Sequence, residues 1–186
     1  MSFASPRADS LCTLAQPHAA TEADLRASGL NVTVLRNNQF AENLDPVLER
    51  ARASHRVAAP GAAGKVAYIT RADAAAAIAG ALTQPDHDGA TYELTGPEAV
   101  DLSDIAAALA AAQGQPVTAE EVAAVDFAPV LASFGLPPVI VEAMLSLYRA
   151  AAAGEYALVT DHASRLAGRP LTPMREYVLQ HLRRGA

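Results

Sequence analysis

Apolar positions along the chain recur with a helical period in some stretches and in short unbroken runs in others, and the alternation of the two predicts α/β crossover units. The stretch PHAATEADLRASG (17–29) reads as a helix of about three turns, with Pro17 at its first position, Leu25 on its apolar side and Gly29 as its left-handed stop. Val32, Val34 and Leu35 then form a strand over 32–35, and a helix feeding directly into a short apolar strand is half of a crossover. Leu44, Val47, Leu48 and Ala51 recur at spacings of 3, 1 and 3, which predicts a helix over 42–53. RVAAPGAAGKVAYIT (56–70) reads as two extended pieces around a Pro-Gly turn. RADAAAAIAGALTQ (71–84) is helical by alanine propensity, and TYELTG (91–96) is an alternating strand closed by Gly96-Pro97.

Beyond residue 97 the pattern turns mainly helical. VDLSDIAAALAAAQG (100–114) predicts a helix with Ser103 as N-cap, Ile105 and Leu109 on one face, and Gly114 as its end. PVTAEEV (116–122) fits a strand, or a capping box formed by Thr118 and Glu121. In 137–156, Ile140, Met144, Leu147 and Tyr148 fall at helical intervals on one apolar face. LTPMREYVLQHLRR (171–184) repeats the logic, with Thr172 as N-cap, Pro173 at the first position, and Met174, Tyr177, Val178 and Leu182 facing inward.

The strand at 32–35 leaves the apolar pattern in an unusual way. A strand ordinarily exits through Gly, Pro or Asp, but here it runs into Arg36-Asn37-Asn38-Gln39, all amide and guanidinium groups. A polar ligand at this exit would explain the choice of side chains.

Composition narrows the classes. A chain of 186 residues buries roughly 70% of its unfolded surface and needs neither disulfide nor metal to hold a core. With 51% hydrophobic residues and mean hydropathy +0.13 it is too apolar for a disordered chain. Its apolar runs stop well short of the roughly 20 residues that span a bilayer, and the first residues carry Arg7 and Asp9 with no signal-like apolar region. A cytoplasmic protein is expected, and the single cysteine, Cys12, reads as a small buried hydrophobe. A net charge of −6 argues against nucleic acid as partner.

Several familiar chemistries are missing from the sequence. There is no G-x-G-x-x-G between a strand and a helix. APGAAGK lacks the first glycine of a P-loop, at Ala59, and has Val66 where the metal-binding Ser or Thr would stand, so it reads as a plain turn. The five histidines are scattered without metal-ligand spacing, so no metal is implied, and no serine sits in G-x-S-x-G.

The remaining constellation has an order. His18, Thr21 and Glu22 are followed by Ser28-Gly29, then Leu35-Arg36-Asn37, Phe40, Glu42-Asn43, Arg71-Ala72-Asp73, and Tyr92 to Gly96. In this order and spacing the chain resembles the NmrA-like group of atypical short-chain dehydrogenase/reductases, most of all its NAD(P)H:quinone oxidoreductase branch. The resemblance implies an α/β fold with a Rossmann-like parallel sheet, N-terminally incomplete, and a mainly helical C-terminal substrate or lid region. It makes 1–186 one NmrA-like domain, of which 1–97 is the remainder of the core and 98–186 the helical part. In this reading SFAS corresponds to the family's fifth strand, and the reading frame upstream of Met1 is expected to encode the strand, glycine-rich turn and helix of the dinucleotide fingerprint.

By resemblance, His18, Arg36 and Asn37 lie at the cofactor, NADP or NAD, and Asn38, Phe40 and Asn43 line the substrate pocket. No catalytic residue is assigned. The tyrosine that classical relatives place four residues before His18 is Leu14 here, and Phe40 replaces a frequent Tyr or Trp. A quinone accepts hydride without prior protonation, so the implied activity, hydride transfer from NAD(P)H to a quinone-like acceptor, survives the missing phenol. Arg71 and Asp73 read rather as a structural ion pair or helix cap. The alternative is a non-catalytic NAD(P)-sensing regulator that binds other proteins through its helical half. The expected partners are a small-molecule substrate and, as an open alternative, further copies of the chain, with no membrane and no nucleic acid.

Overall fold

The computed structural model describes residues 1–184. Five strands run in chain order as β1 (Ser2–Phe3), β2 (Val34–Asn37), β3 (Arg56–Ala59), β4 (Thr91–Leu94) and β5 (Thr118–Glu121). The helices are α1 (Ala15–Ala27), α2 (Asp45–Ser54), α3 (Arg71–Thr83), α4 (Leu102–Gln113), α5 (Ala124–Ala132), α6 (Pro138–Ala152), α7 (His162–Ala167) and α8 (Met174–Arg184), with a 3₁₀ turn over Ala41–Leu44 leading into α2. One sheet has the order β1-β2-β4 and the other pairs β3 with β5, every pair parallel. Parallel strands need crossovers, and the helices between them supply these and cover the sheets. This is the parallel α/β arrangement, with a mainly helical C-terminal part, that the residue pattern predicts. The second sheet joins β3 to a strand beyond residue 97.

The polar exit of the first strand lies inside the ladder. Arg36 pairs in register with Ser2 and Glu93, and Asn37 with Phe3 and Leu94, so the strand runs two residues past Leu35. Polarity does not end it, because the Arg36 side chain meets Glu93 alongside and Glu22 from α1. Helix α1 correspondingly buries Ala15 and Glu22, while Leu25 stands 36% exposed. It docks through an ion pair instead of the apolar side assigned to Leu25. It also begins two residues before Pro17, which falls in the first turn, where a missing N–H costs no helical bond.

Caps and stops also differ in detail. Asp101, not Ser103, caps α4: its Oδ1 accepts the N–H groups of Ser103 and Asp104 at 2.9 and 3.1 Å, and the Asp104 carboxylate accepts the Asp101 N–H at 3.1 Å. Gly114 ends that helix with φ +67°, a left-handed value that suits glycine. PVTAEEV resolves as the strand β5. In α6, Leu147 is buried and Met144 and Tyr148 are partly buried, whereas Ile140 is 40% exposed. The buried set of α6 is wider than one stripe because the helix packs between two clusters, one through Val141 and Leu145, the other through Leu147, Ala150 and Ala151.

Three apolar clusters hold the molecule. The largest joins α2, β3, α4, α5, α6 and α8 around Leu48, Val57, Ile105, Leu109 and Val178. A second lies beneath the loop after β1, where Cys12 and Tyr156 are fully buried, as the reading of Cys12 as a small hydrophobe predicts. The third packs α3 and α7 on Leu35 and Leu94 of the sheet. Each fully buried leucine or isoleucine contributes about 1.5 to 3 kcal/mol relative to exposure.

Candidate functional site

In the three-stranded sheet the carboxyl ends of β1, β2 and β4 share one edge, the place where open α/β sheets take ligands. Asn37 ends β2 there. It is buried, 6% exposed, and its Oδ1 has no hydrogen-bond partner. An unpartnered buried carbonyl oxygen costs about 1 to 3 kcal/mol. Its register partner Phe3 stacks on the half-buried ring of His18, with centroids 6.0 Å apart and planes at 26°, and meets Tyr156 edge-on at 6.0 Å. Asn37 and the Phe3 that His18 stacks on thus form the last rung of the β1–β2 pair.

Arg36 is placed otherwise. Its Nε and Nη2 donate to the two Glu22 oxygens at 2.9 and 2.7 Å, and its Nη1 to Glu93 at 2.7 Å. Burial alone would raise the Glu22 carboxyl. The hydrogen bonds from Arg36 and Arg26 outweigh burial and hold its pKa at about 2. In turn Glu22, and then Glu93, keep the Arg36 guanidinium charged beyond its ordinary range, against the effect of burial.

The residues after β2 form a braced loop. Asn38 donates from Nδ2 to the Tyr156 carbonyl at 3.0 Å and accepts the Gln39 N–H on Oδ1 at 2.8 Å, so both ends of its amide are occupied. Phe40 forms a bridge with Ile69, and the Arg71 guanidinium stands 5.3 Å from its ring centre. The Glu42 carboxylate accepts the Arg71 N–H, and Asp73 accepts the Thr172 N–H at 2.9 Å and pairs with Arg169 at 2.7 Å. Arg71 and Asp73 thus serve at the start of α3 and as a tie to the C-terminal segment, in line with the structural reading of this pair.

The loop leads to a cavity of about 410 Å³ between α2 and β3 on one side and the α5–α6 hairpin on the other. Asn43 lines it; none of the other sequence-assigned site residues does. Phe127, Leu131, Phe134, Met144 and Tyr148 form its apolar wall, and the rings of Phe127 and Tyr148 meet edge-on at 5.3 Å. Burial pushes the Tyr148 phenol up to about 12, so it stays neutral and able to donate. Among the described residues no group of His, Cys, Asp and Glu is placed to hold a metal.

The sequence carried little signal for this wall. Met144 and Tyr148 read only as the core face of a helix, and Phe127 lies in a segment whose helix α5 is masked by Pro129 inside it.

No protein-family model matches the chain. It is 34% identical over 165 residues to quinone oxidoreductase 2 of Escherichia coli strain K12, a match covering 89% of this chain and 58% of that protein. It is 31% identical over 160 residues to an NAD(P)H azoreductase of Xenophilus azovorans, covering 86% of this chain and 56% of the other. The crystal structure of the Escherichia coli NADPH-dependent quinone oxidoreductase complexed with NADPH superposes with TM-score 0.88 at 34% identity, over 97% of this chain and 63% of that one. The chain therefore spans about three fifths of the length of the relatives it matches.

Proposed function

We propose that this chain, which is similar to a quinone oxidoreductase and an NAD(P)H azoreductase and by its motifs resembles the NmrA-like atypical short-chain dehydrogenase/reductases, is part of an NAD(P)H-dependent oxidoreductase that passes hydride to a quinone-like acceptor. The observation that carries the reading is the aromatic-walled cavity lined by Asn43 of the segment that follows β2, large enough for one small ring system and lined mainly by apolar side chains with a few polar groups.

In this reading the acceptor lies against Phe127, Phe134 and Tyr148, with the Asn43 amide and the neutral Tyr148 phenol as hydrogen-bonding groups. The nicotinamide end of the cofactor fits the last rung of β1–β2. There the orphaned Asn37 Oδ1 accepts a donor and the His18 ring offers a polar edge. When bound, NADPH or NADH supplies the hydride. The chain's own residues orient the acceptor, exclude water from it and hold the loop in place. Arg36, Asn38 and Phe40 act as positioning groups: Arg36 fixes β2 against α1 and β4, Asn38 fixes the loop against Tyr156, and Phe40 supports it under Arg71. No glycine-rich turn leads into a helix N-terminus to receive the pyrophosphate among the described residues.

Among the described residues no helix is long and apolar enough to cross a membrane. The reading is tested by calorimetric titration of the chain with a naphthoquinone, alone and after Tyr148→Ala. Saturable binding that weakens by about tenfold in the variant is expected. The absence of any binding, or binding indifferent to Tyr148, rejects the cavity as the acceptor site.

A further inference from the structure

We infer that the cavity selects aromatic ligands bearing an anionic substituent, and that Arg50 is the residue that recognises the anion; the inference rests on the cavity being the acceptor site. Its two walls differ in chemistry. Asn43, Val47, Arg50 and Ser54 recur at 4, 3 and 4 residues along one face of the 3₁₀ turn and α2, and Asn43, Arg50 and Ser54 with Arg56 of β3 give this wall its polar groups, beside the apolar Pro46, Val47 and Ala58. The facing wall, from the α5–α6 hairpin, is aromatic and aliphatic apart from Asp126 at the start of α5.

The charges on the polar wall are not balanced. Arg56 is paired with Glu120, and Glu49, the carboxylate next to Arg50 in sequence, faces His181 of α8 at 2.9 Å. Arg50 has no carboxylate partner among the described residues. The one carboxylate lining the cavity, Asp126, stands on the opposite wall in the first turn of α5, where the helix N-terminus favours negative charge. An unpaired guanidinium beside an apolar chamber in a chain of net charge −6 is a local exception to the overall field. Its planar fork suits a carboxylate or sulfonate better than a ketone oxygen. A ligand with rings against Phe127 and Tyr148 and an acid group against α2 matches both walls at once.

The test compares a naphthalene sulfonate with its neutral sulfonamide, which has nearly the same shape, by calorimetric titration of the chain and of Arg50→Gln. Arg50 is exposed, so the substitution leaves the core intact. The sulfonate is expected to bind about fivefold tighter than the sulfonamide, the scale of a partly exposed ion pair. In Arg50→Gln that preference disappears while sulfonamide affinity is unchanged. Equal affinities in the unmodified chain, or a preference that persists in Arg50→Gln, overturn the role of Arg50 and leave the acceptor-site reading standing. If neither probe binds, the acceptor-site reading falls and the selectivity with it.

Discussion

Glu22 is 3% exposed, faces Arg36 and Arg26, and has its pKa held at about 2 against an ordinary 4.5. A carboxylate with a lowered folded-state pKa adds stability that is complete above its unfolded value and is lost as pH falls through the folded one. Its contribution should therefore be full at neutral pH and fade between about pH 4.5 and 2, from an order of 3 kcal/mol. Urea unfolding of the chain and of Glu22→Gln across that range measures it. The gap between them should close on acidification, and a gap that stays constant would show that Glu22 acts by packing alone. Asn37 makes the opposite case. Its Oδ1 is buried without a partner, so Asn37→Leu, which removes that oxygen at similar volume, should raise the thermal midpoint by a few degrees. A fall of several degrees would mean that the oxygen is bonded within the protein and was not left open for a ligand.

At the scale of elements, α3 and α7 approach so closely that a Cβ on Gly80 would lie 1.9 Å from the Leu166 carbonyl oxygen. Alanine in a helix interior normally gains about 1 kcal/mol over glycine, but here overpacking by about 1 to 3 kcal/mol wins, and Gly80→Ala should lower the midpoint in a thermal melt. An unchanged or higher midpoint would show that α7 can give way. What the sequence revealed follows the same distinction between local and nonlocal causes. Helix stops such as Gly114 and periodic cores such as Val47, Leu48 and Ala51 are written in neighbouring residues, and they stand where expected. The strand status of Arg36 and Asn37 depends on Glu22 and Glu93, which lie 14 and 57 residues from Arg36 in the chain, and no local rule foresees it. The cavity was illegible for a related reason: its wall residues look like core until the α5–α6 hairpin is seen facing α2. His18 and Asn37 could be singled out by motif order, but that Phe3 neighbours both, one by stacking and one by register, required the sheet.

For the whole molecule, the two halves of the proposed site differ in completeness. The cavity walls all come from described residues, whereas among those residues no glycine-rich turn offers helix N–H groups to a pyrophosphate. The chain by itself should thus bind NADPH weakly, with no saturation at micromolar concentrations in a fluorescence titration, while still taking up aromatic acceptors. Micromolar NADPH affinity would show that the dinucleotide is held elsewhere than at the β1–β2 rung. The cavity's construction from two distant stretches has one more consequence. Its polar groups are carried by α2 and β3, and its aromatic wall by α5 and α6, whose Phe127, Leu131, Val141 and Leu145 belong to the same core cluster as Leu48 and Val57. A substitution that reshapes the chamber at Phe127 or Leu131 therefore also disturbs the packing of the core, so the chamber's form is inherited together with the stability of the fold.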